Sequence, residues 1–529
     1  MPGVSSFRST LFRAVRGTLA GLLAAFTALA VAELVAGLVR PAAGPVTVVG
    51  GAVIDRTPAA VKDFAIRTFG ENDKAVLQLG ILVVLGLLAV ALGILALSYR
   101  RAGAAGVVLF GIVGAAAALS RPDSIGIGDA LPSIAGAVAG AFALYVLASK
   151  ATSSPAQVGA EGDDDAGWNR RGFLAAAGVT AAAAASAGAL GRFFTTRQGH
   201  GAVTFRKSLI LPKPASPAPA VPVGVQLKVP GLTAFTTPNS DFYRVDTALT
   251  VPKVDVGTWR LRIHGRGVTR PRTYTLDQLL ARPLIERDIT LTCVSNEVGG
   301  PYIGNARWLG VPLADLLEEV GVRPPSKGGR ADQLVARSVD GMTLGSPVED
   351  VMDGRDAILA VGMNGEPLPF DHGFPVRMLV PGLYGYVSAC KWIEDIELTT
   401  FDAYDPYWVK RKWARKAPIK TQARIDTPKP FARPAAGTIT IAGVAWAQRR
   451  GIARVQIRID NGPWQDTALA AQAGVDTWRQ WSYRCNATPG GHNLTVRATD
   501  GTGQVQTEQR TRTIPDGASG WHSVFVTVI

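Results

Sequence analysis

Long apolar runs alternate with short polar breaks over the first 200 residues of the chain. Four runs are about as long as a helix that crosses a bilayer, although the third is short. They cover residues 17–39, 76–97, 103–119 and 131–148. A fifth run of small apolar residues follows Arg171. The pattern predicts five transmembrane helices, four of them within residues 1–150.

Cations at the ends of these runs predict their orientation. The predicted cytoplasmic ends carry Arg8, Arg13, Arg16, Arg100, Arg101 and Lys150. Because cytoplasmic loops are enriched in Lys and Arg, this distribution favours an N-terminus in the cytoplasm. The loop at residues 40–74 would then lie outside, although it carries Lys62 and Arg67. With five spans in the cell membrane, everything after Phe194 is expected outside the cytoplasm.

Arg170 and Arg171 directly precede the fifth run, in the segment WNRRGFLAAAGVTAAAAASAGAL. Phe173 and Leu174 follow them in the positions usual for a twin-arginine translocation signal, which would export the chain in a folded state. Alternatively, the two arginines mark the cytoplasmic end of a helix. Both interpretations predict the same direction of insertion, with a cytoplasmic linker and the fifth span in residues 151–192.

The polarity pattern changes after the last apolar run. Residues 193–224 are predicted to be a linker, because LPKPASPAPAVPVG at 211–224 is a proline-rich, extended spacer. Residues 225–430 mix short strands such as WRLRIHG with short helices such as TYTLDQLLA, which indicates an α+β domain. Residues 431–529 alternate polar and apolar positions around an Asn-Gly turn, which is typical of an Ig-like β-sandwich. The fold class is therefore multi-domain.

Charge and cysteine content narrow the function classes. The 529 residues carry a formal net charge of +14, but the cations are scattered and no nucleic-acid motif accompanies them. We therefore expect no nucleic-acid partner. Cys293, Cys390 and Cys485 are the only cysteines, and they form no C-x-x-C pair. This excludes zinc ribbons, thioredoxin-like chemistry and covalent c-type haem, and it argues against a disulfide framework.

Cys293 lies in DITLTCVSNEVGG, where a β-rich run ends in a glycine-rich loop. A thiolate at such a position can be a nucleophile or a soft metal ligand. The alternative from this segment alone is a buried, inert cysteine.

Several longer segments carry a resemblance to a known family. They are CVSN at 293–296, ARWLGVPLADLL at 306–317, AVGMNGEPLPFDHGFPVRMLVPGLYGYVSACKWIEDIEL at 360–398, GVAWAQRRGIARVQIRIDNGPW, WRQW at 478–481, RATD and the terminal HSVFVTV. In this order, over residues 237–529, the sequence resembles the sulfite oxidase family of molybdopterin-dependent oxidoreductases. The resemblance implies a molybdopterin-binding domain at 225–430 and a dimerisation domain at 431–529, and hence a homodimer.

The resemblance also implies roles for individual residues. Cys293 would ligate molybdenum, beside the pterin dithiolene and oxo groups. Arg244 and Arg479 lie where the family has arginines at the substrate anion and would share the catalytic role. Cofactor-binding roles fall to Tyr243, Arg244, Asp246, Asn296, His372, Arg377 and Lys391. Imidazole, guanidinium and ammonium groups suit a pterin with a phosphate tail.

Three departures from the family pattern bear on the substrate. Where the family has C-x-x-N-R-R, Glu297 and Val298 replace the two arginines. The family's Tyr-Gly-Ala-Ser segment is DGMTLGSPVED here, with no tyrosine in residues 340–350. The usual Arg-Asn-His is RVD, ending in Asp246, which can take over a polar contact to the pterin. These departures put sulfite itself in doubt and leave the cofactor assignment intact.

The leading hypothesis is a two-electron oxygen-atom transfer on a small molecule by a membrane-anchored enzyme with a molybdenum–molybdopterin cofactor. One alternative is a methionine sulfoxide reductase that repairs envelope proteins. Another is a non-catalytic surface protein with a degenerate cofactor domain. The sequence shows no haem, flavin, nicotinamide or iron–sulfur motif. The electron partner is therefore expected to be a separate protein or a quinone pool in the membrane.

Overall fold

The computed structural model describes residues 3–58, 61, 64, 65, 68, 69, 72–121, 123–152 and 165–529. Contacts between Cα atoms divide the chain into two compact units. The helical unit comprises residues 1–202 and 248–250, and the sheet unit comprises residues 203–247 and 251–529. The division joins the predicted α+β domain and the predicted sandwich in one unit.

The helical unit contains six long helices among the described residues. They are α1 (Gly3–Val39), α2 (Pro45–Arg56), α3 (Asp73–Ser98), α4 (Arg100–Leu119), α5 (Leu131–Thr152) and α6 (Asp165–Ser208). Five segments are long and apolar enough to cross a membrane, in agreement with the five predicted spans. They are Phe12–Val39, Lys74–Ser98, Arg100–Leu119, Ile127–Thr152 and Arg171–Ser208.

Small residues allow these helices to approach closely. A Cβ built on Gly21 of α1 would lie 1.9 Å from the carbonyl oxygen of Ala89 in α3. A Cβ on Gly93 of α3 would lie 2.1 Å from the carbonyl oxygen of Gly17. Neither position has room for a side chain. Apolar helices in a bilayer gain little from burying apolar surface, so such backbone packing is the usual way in which they associate.

Helix α6 is longer than its apolar run predicts. It ends at Ser208, so residues 193–208 are helical where the pattern predicted linker. The first proline after the run is Pro212, so the residue type that breaks helices most strongly is absent before that position. Only residues 209–224 form the extended, proline-rich part. Residues 153–164, within the predicted cytoplasmic linker, lie outside the described residues.

Two five-stranded sheets, one mixed and one antiparallel, form the first part of the sheet unit. One has the order β2-β1-β10-β5-β6, and the other has the order β3-β4-β7-β8 with β9 paired to β7. The strands are β1 (Leu261–Gly265), β2 (Arg272–Tyr274), β3 (Ile285–Thr292), β4 (Ile303–Pro312), β5 (Gln333–Ser338), β6 (Thr343–Pro347), β7 (Ile358–Met363), β8 (Glu366–Pro367), β9 (Arg377–Leu379) and β10 (Ile393–Thr399). Short helices connect them: α7 (Leu276–Leu280), α8 (Leu313–Glu319), α9 (Val348–Val351) and α10 (Gly385–Ser388). Together they give the mixed α and β structure that the sequence predicts.

The last part of the sheet unit consists of two four-stranded antiparallel sheets, β11-β12-β16-β15 and β14-β13-β17-β18. The strands are β11 (Gln422–Thr427), β12 (Gly437–Trp446), β13 (Ile452–Ile459), β14 (Gln465–Asp466), β15 (Ala468–Leu469), β16 (Arg479–Ala487), β17 (Gly490–Asp500) and β18 (His522–Val528). Both sheets contribute to one apolar core, for example through Trp481 and Ile457. The predicted turn at Asn461-Gly462 lies between the paired strands β13 and β14.

Candidate active site

Cys293 directly follows β3, whose antiparallel pairing with β4 fixes the point at which the loop begins. Its backbone N–H donates to the carbonyl of Tyr302 at 2.9 Å, and the N–H of Ser295 lies 3.4 Å from Cys293 Sγ. Burial raises the pKa of the thiol, while the Ser295 hydrogen bond and the Lys391 charge lower it. The loop therefore presents one buried sulfur with a donor already directed at it.

Asn296 closes this loop. Its backbone N–H donates to the carbonyl of Cys293 at 3.0 Å, and its Oδ1 accepts from the N–H of Tyr302 at 2.8 Å. A Cβ on Gly300 would lie 2.7 Å from that same Oδ1, so glycine is required for this close approach. The amide oxygen of Asn296 thus stabilises the loop that carries the thiol.

A second segment, HGFPVR, brings His372 and Arg377 to the same region. Gly373 has a φ of +112°, and a Cβ on it would lie 3.1 Å from Lys391 Cα and 3.2 Å from Arg377 Cβ. Only glycine adopts this conformation easily and fits this space. Gly373 therefore lets three side chains that the sequence separates gather around one point.

His372 is buried and uncharged at neutral pH. Burial lowers the pKa of its imidazole to about 4, and the charge of Arg377 acts in the same direction. Nε2 lies 3.1 Å from the carbonyl oxygen of Asn239. A carbonyl oxygen only accepts, so Nε2 carries the proton, and Nδ1 is left as an acceptor.

Arg377 is a buried cation that keeps an unused donor. Its guanidinium carbon lies 5.4 Å from the centre of the Trp308 ring, and Nη1 donates to the carbonyl of His372 at 3.4 Å. Burial lowers its pKa to about 10, which still leaves it charged at neutral pH. Nε is buried and has no hydrogen-bond partner within the described residues. A buried, charged donor of this kind calls for an acceptor from outside the chain.

Asp246 joins two further cations. Lys391 Nζ donates to Asp246 Oδ2 at 2.6 Å, and Arg244 Nε donates to the same oxygen at 3.0 Å. Arg244 Nη1 also lies 3.4 Å from Asp371 Oδ1. Lys391 Nζ donates to the carbonyl of Asp371 at 3.1 Å as well. The RVD segment thus supplies both a cation and the carboxylate that holds it in place.

Tyr243 completes the cluster. Its ring stacks on Phe242 at 5.2 Å, with its edge toward Tyr302 at 6.4 Å. Burial raises the pKa of the Tyr243 phenol; the charge of Cys293 raises it further and that of Arg377 lowers it. The phenol therefore stays protonated and neutral beside the thiol and the buried guanidinium.

Arg479 is not brought to this cluster. Its Nε donates to the carbonyl of Ala470 at 2.7 Å and its Nη1 to that of Ile452 at 2.8 Å. The neighbouring side chains point the other way, because Trp478 Nε1 donates to Phe235 O and Gln480 Nε2 to Thr233 O. Side chains alternate along a strand, so Arg479 lies on the face opposite to these two. The structure thus gives no support to its predicted place at the anion pocket.

Sequence reasoning missed Tyr384, which lies just before α10. Burial raises the pKa of its phenol, and the negative charges of Asp516 and Cys293 raise it further. The N–H of Lys420 lies 3.5 Å from its hydroxyl oxygen. Residues 340–350 contain no tyrosine. Tyr384 comes from a different segment and supplies a phenol that interacts electrostatically with Cys293. The signal was present in the segment PGLYGY, which belongs to the longest matching segment.

Comparisons with known proteins find relatives over this part of the chain. Residues 248–408 match the family model described as the oxidoreductase molybdopterin binding domain. Mitochondrial sulfite oxidase from Mus musculus is 29% identical over 343 residues, which cover 56% of this chain and 62% of that protein. The chain therefore contains a molybdopterin-binding oxidoreductase domain and is similar to sulfite oxidases.

Two further relatives are similar over shorter stretches or in fold. NADH nitrate reductase from Solanum lycopersicum is 34% identical over 182 residues, which cover 30% of this chain and 20% of that protein. The structure of the sulfane dehydrogenase SoxCD from Paracoccus pantotrophus aligns with a TM-score of 0.48 at 25% identity, covering 56% of this chain and 82% of that chain. The chain thus spans less than two thirds of the sulfite oxidase and of the nitrate reductase that it matches.

The cluster fits the family's molybdenum–molybdopterin cofactor. The buried Nε of Arg377, unpartnered among the described residues, and the charge of Lys391 suit its phosphate, and the acceptor Nδ1 of His372 suits a ring N–H. Cys293 would supply the thiolate ligand to molybdenum, because thiolates bind soft metal centres. Arg244, which is only partly buried, would face the substrate side. When bound, the cofactor supplies two-electron oxygen-atom chemistry.

Proposed function

We propose that this protein is a membrane-anchored oxidoreductase of the sulfite oxidase family that transfers one oxygen atom to or from a small substrate. The observation that carries the proposal is the gathering of Cys293, His372 and Lys391 with Arg377, whose buried Nε has no hydrogen-bond partner among the described residues. In the oxidising direction, substrate and water yield the oxygenated product, two protons and two electrons. The electrons leave to a separate electron-transfer protein or to the quinone pool.

The residues of the chain perform three tasks in this reaction. Arg377 and Lys391 neutralise the anionic cofactor, and the burial of both makes their charge more effective than it would be in water. His372 stays neutral and orients a donor through Nδ1. The Asn296 loop fixes the Cys293 sulfur at the end of β3, so that little reorganisation accompanies the reaction.

The substrate is proposed to be neutral or singly charged. Glu297 stands four residues after the metal ligand, where the family carries a cation, and it is partly exposed. A carboxylate near the pocket opposes a dianion such as sulfite. Arg479 adds no charge there, because its guanidinium is bound to Ala470 and Ile452. Sulfoxides and singly charged oxyanions suit the pocket better.

The five apolar helices serve as the membrane anchor in this proposal. The Lys and Arg distribution favours a location of the sheet unit outside the cytoplasm, and Arg170 with Arg171 would direct its export in a folded state. The two-sheet module at residues 431–529 is proposed to be Ig-like and to pair two copies into a homodimer.

Metal analysis of the full chain, purified in detergent from molybdenum-supplied cells, tests the proposal. We expect about one molybdenum per chain, as for a single site. Cys293→Ser should abolish turnover with an artificial acceptor and remove the thiolate signal from the molybdenum X-ray absorption spectrum. Cys485→Ser, at a partly exposed position outside the cluster, is the matched control and should keep both. A folded wild-type protein without molybdenum would instead support the non-catalytic alternative.

A further inference from the structure

A strongly cationic segment lies between the first sheets and the two-sheet module. Between Tyr407 and Pro418 the chain has five Lys and Arg residues and no Asp or Glu. We call these five residues the cationic segment: Lys410, Arg411, Lys412, Arg415 and Lys416. Lys410, Lys412 and Lys416 are exposed. Arg415 is paired with Asp405 at 2.7 Å, so Lys410, Lys412 and Lys416 carry the positive charge that the segment presents to solvent.

The segment has a defined conformation. A short 3-10 turn at Val409–Arg411 is followed by Lys412 in the left-handed region, with a φ of +70°. The guanidinium of Arg411 lies 3.5 Å from the centre of the Tyr407 ring, and Lys410 Nζ lies 5.2 Å from that of Tyr404. Cations held over aromatic faces lose less freedom when a partner binds. The surface is thus preorganised.

A row of aromatic rings lies directly beneath this surface. Ring centres are 5.1 Å apart between Tyr407 and Trp408, 4.7 Å between Trp408 and Trp413, and 5.0 Å between Trp413 and Tyr386. The Tyr386 hydroxyl donates to the carbonyl of Ala414 at 2.7 Å, which fastens the segment to α10.

The inner end of the row lies near the metal ligand. Tyr386 belongs to α10, and a Cβ built on Gly385 of this helix would lie 3.8 Å from the carbonyl oxygen of Thr292. Thr292 is the residue directly before Cys293. Closely spaced π systems couple more strongly than solvent or saturated chain does. The row therefore extends from the cationic segment to α10, the helix that approaches the residue before Cys293.

We infer that the cationic segment is the docking surface for a small redox protein with an acidic face, such as an acidic haem or copper protein. The inference rests on the proposed function, in which oxidation of one substrate releases two electrons and two protons. Two partner molecules would each take one electron in turn, and water would take the protons. Positive charge at the outer end of the row would steer such a partner to the point nearest the electrons.

The aromatic row favours a protein partner over a membrane surface. Anionic lipid headgroups would also attract Lys410, Lys412 and Lys416. The rings between this surface and α10 would, however, not contribute to lipid binding. The whole chain carries a net charge of +14, so any acidic protein is attracted weakly everywhere. The test must therefore separate local charge from total charge.

The test measures binding of an acidic bacterial cytochrome c to the immobilised full chain in detergent. The triple variant Lys410→Glu, Lys412→Glu, Lys416→Glu is compared with Lys429→Glu, Arg433→Glu, Arg484→Glu. The second set reverses three other exposed cations and changes the net charge equally. At about 0.01 M salt we expect the first variant to bind at least about tenfold more weakly and the control within about twofold of wild type. A basic cytochrome c should not bind.

Each outcome decides the inference. Equal losses in both variants, or no binding by wild type at low salt, would overturn it. So would unchanged cytochrome binding combined with a loss of binding to vesicles of anionic lipid, which would assign the segment to the membrane surface. Turnover with ferricyanide, a small acceptor, should be the same in all three proteins. Absent docking by wild type with normal ferricyanide turnover refutes only this inference, whereas absent turnover in wild type refutes the proposed function.

Discussion

Lys391 Nζ lies 2.6 Å from Asp246 Oδ2, and both side chains are buried. Asp246 stands where the family pattern has the histidine of Arg-Asn-His, so this chain has a carboxylate between two of its predicted cofactor-binding cations. Arg244 shares the same oxygen. The ion pair fixes Lys391 in place before any anion binds. It also makes the folded protein depend on Asp246 when the cofactor is missing.

Asp246→Asn should therefore destabilise the cofactor-free protein by about 3–5 kcal/mol, because it leaves Lys391 buried without its counter-ion. In the loaded protein the loss should be smaller, since the anionic cofactor takes over as counter-ion. Thermal unfolding of both forms measures this difference. Asp371→Asn is the control: its side chain is 52% exposed, and its ion pair with Arg244 should contribute less than about 1 kcal/mol. Equal effects of the two substitutions would contradict the prediction.

Arg479→Gln should lower stability without changing substrate affinity. The substitution removes two charge-assisted hydrogen bonds to Ala470 and Ile452, at a cost of about 1.5–3 kcal/mol each at most. Arg244→Gln should instead raise KM, since Arg244 is partly exposed beside the cluster. Chemical denaturation and steady-state kinetics on the same preparations separate the two effects. A raised KM with normal stability for Arg479→Gln would restore that residue to the anion pocket.

The stability of the sheet unit should fall as the pH drops from about 6.5 to about 4. Burial lowers the pKa of His522 to about 4, with Arg424 and Arg510 acting in the same direction and Asp426 against it. In this window the unfolded chain binds a proton that the folded chain does not, so acid favours unfolding. Burial lowers the pKa of His372 to about 4 as well, so its contribution has the same sign.

His522→Gln should make this loss less steep, which unfolding temperatures measured across the window will show. His492→Gln is the control with the opposite sign. The hydrogen bond to Asp460 raises the pKa of His492, so its stabilisation is present in acid and is lost as the pH rises. The His492 variant should keep the full loss in acid. Parallel curves for wild type and His522→Gln would refute the assignment.

Changing both Arg170 and Arg171 to Lys should block export if they form a twin-arginine signal. A reporter fused after Ser208, where α6 ends, measures how much of the sheet unit reaches the outside. An ordinary positively charged helix end would tolerate lysine, because the charge is kept. Normal export of the double variant would therefore leave these arginines as a helix flank.

Glu297→Gln should lower the KM for sulfite and leave kcat nearly unchanged, since removing one negative charge helps substrate and transition state alike. Val298 is buried and is best left unchanged. A neutral sulfoxide serves as the control substrate and should show no gain. If wild type already oxidised sulfite above about 10⁴ M⁻¹s⁻¹, the departures from the family pattern would carry less weight than proposed here.

Local signals predicted most of the elements. TYTLDQLLA forms α7, because Thr275 and Gln278 cap each other's backbone in a capping box. The apolar runs became helices long enough to cross a membrane, since length and composition are properties of one continuous segment. The end of α6 was predicted too early, because polar residues follow Phe194 where the apolar run ends. No proline stands among them before Ser208, and the helix continues to that residue.

The sequence by itself determined which chemistry was available: one cysteine at a strand end, a histidine and an arginine in HGFPVR, and a lysine in ACKW. Only the tertiary structure decided which of them meet. The pairing of β3 with β4 fixes the position of Cys293 at the end of β3. Lys391 and Arg377 can approach Gly373 only because this residue has no side chain. The direction of Arg479 was settled by strand alternation and by two carbonyls that no sequence pattern reveals. Such contacts join residues far apart in the chain, so they depend on the packing of whole sheets rather than on any local segment.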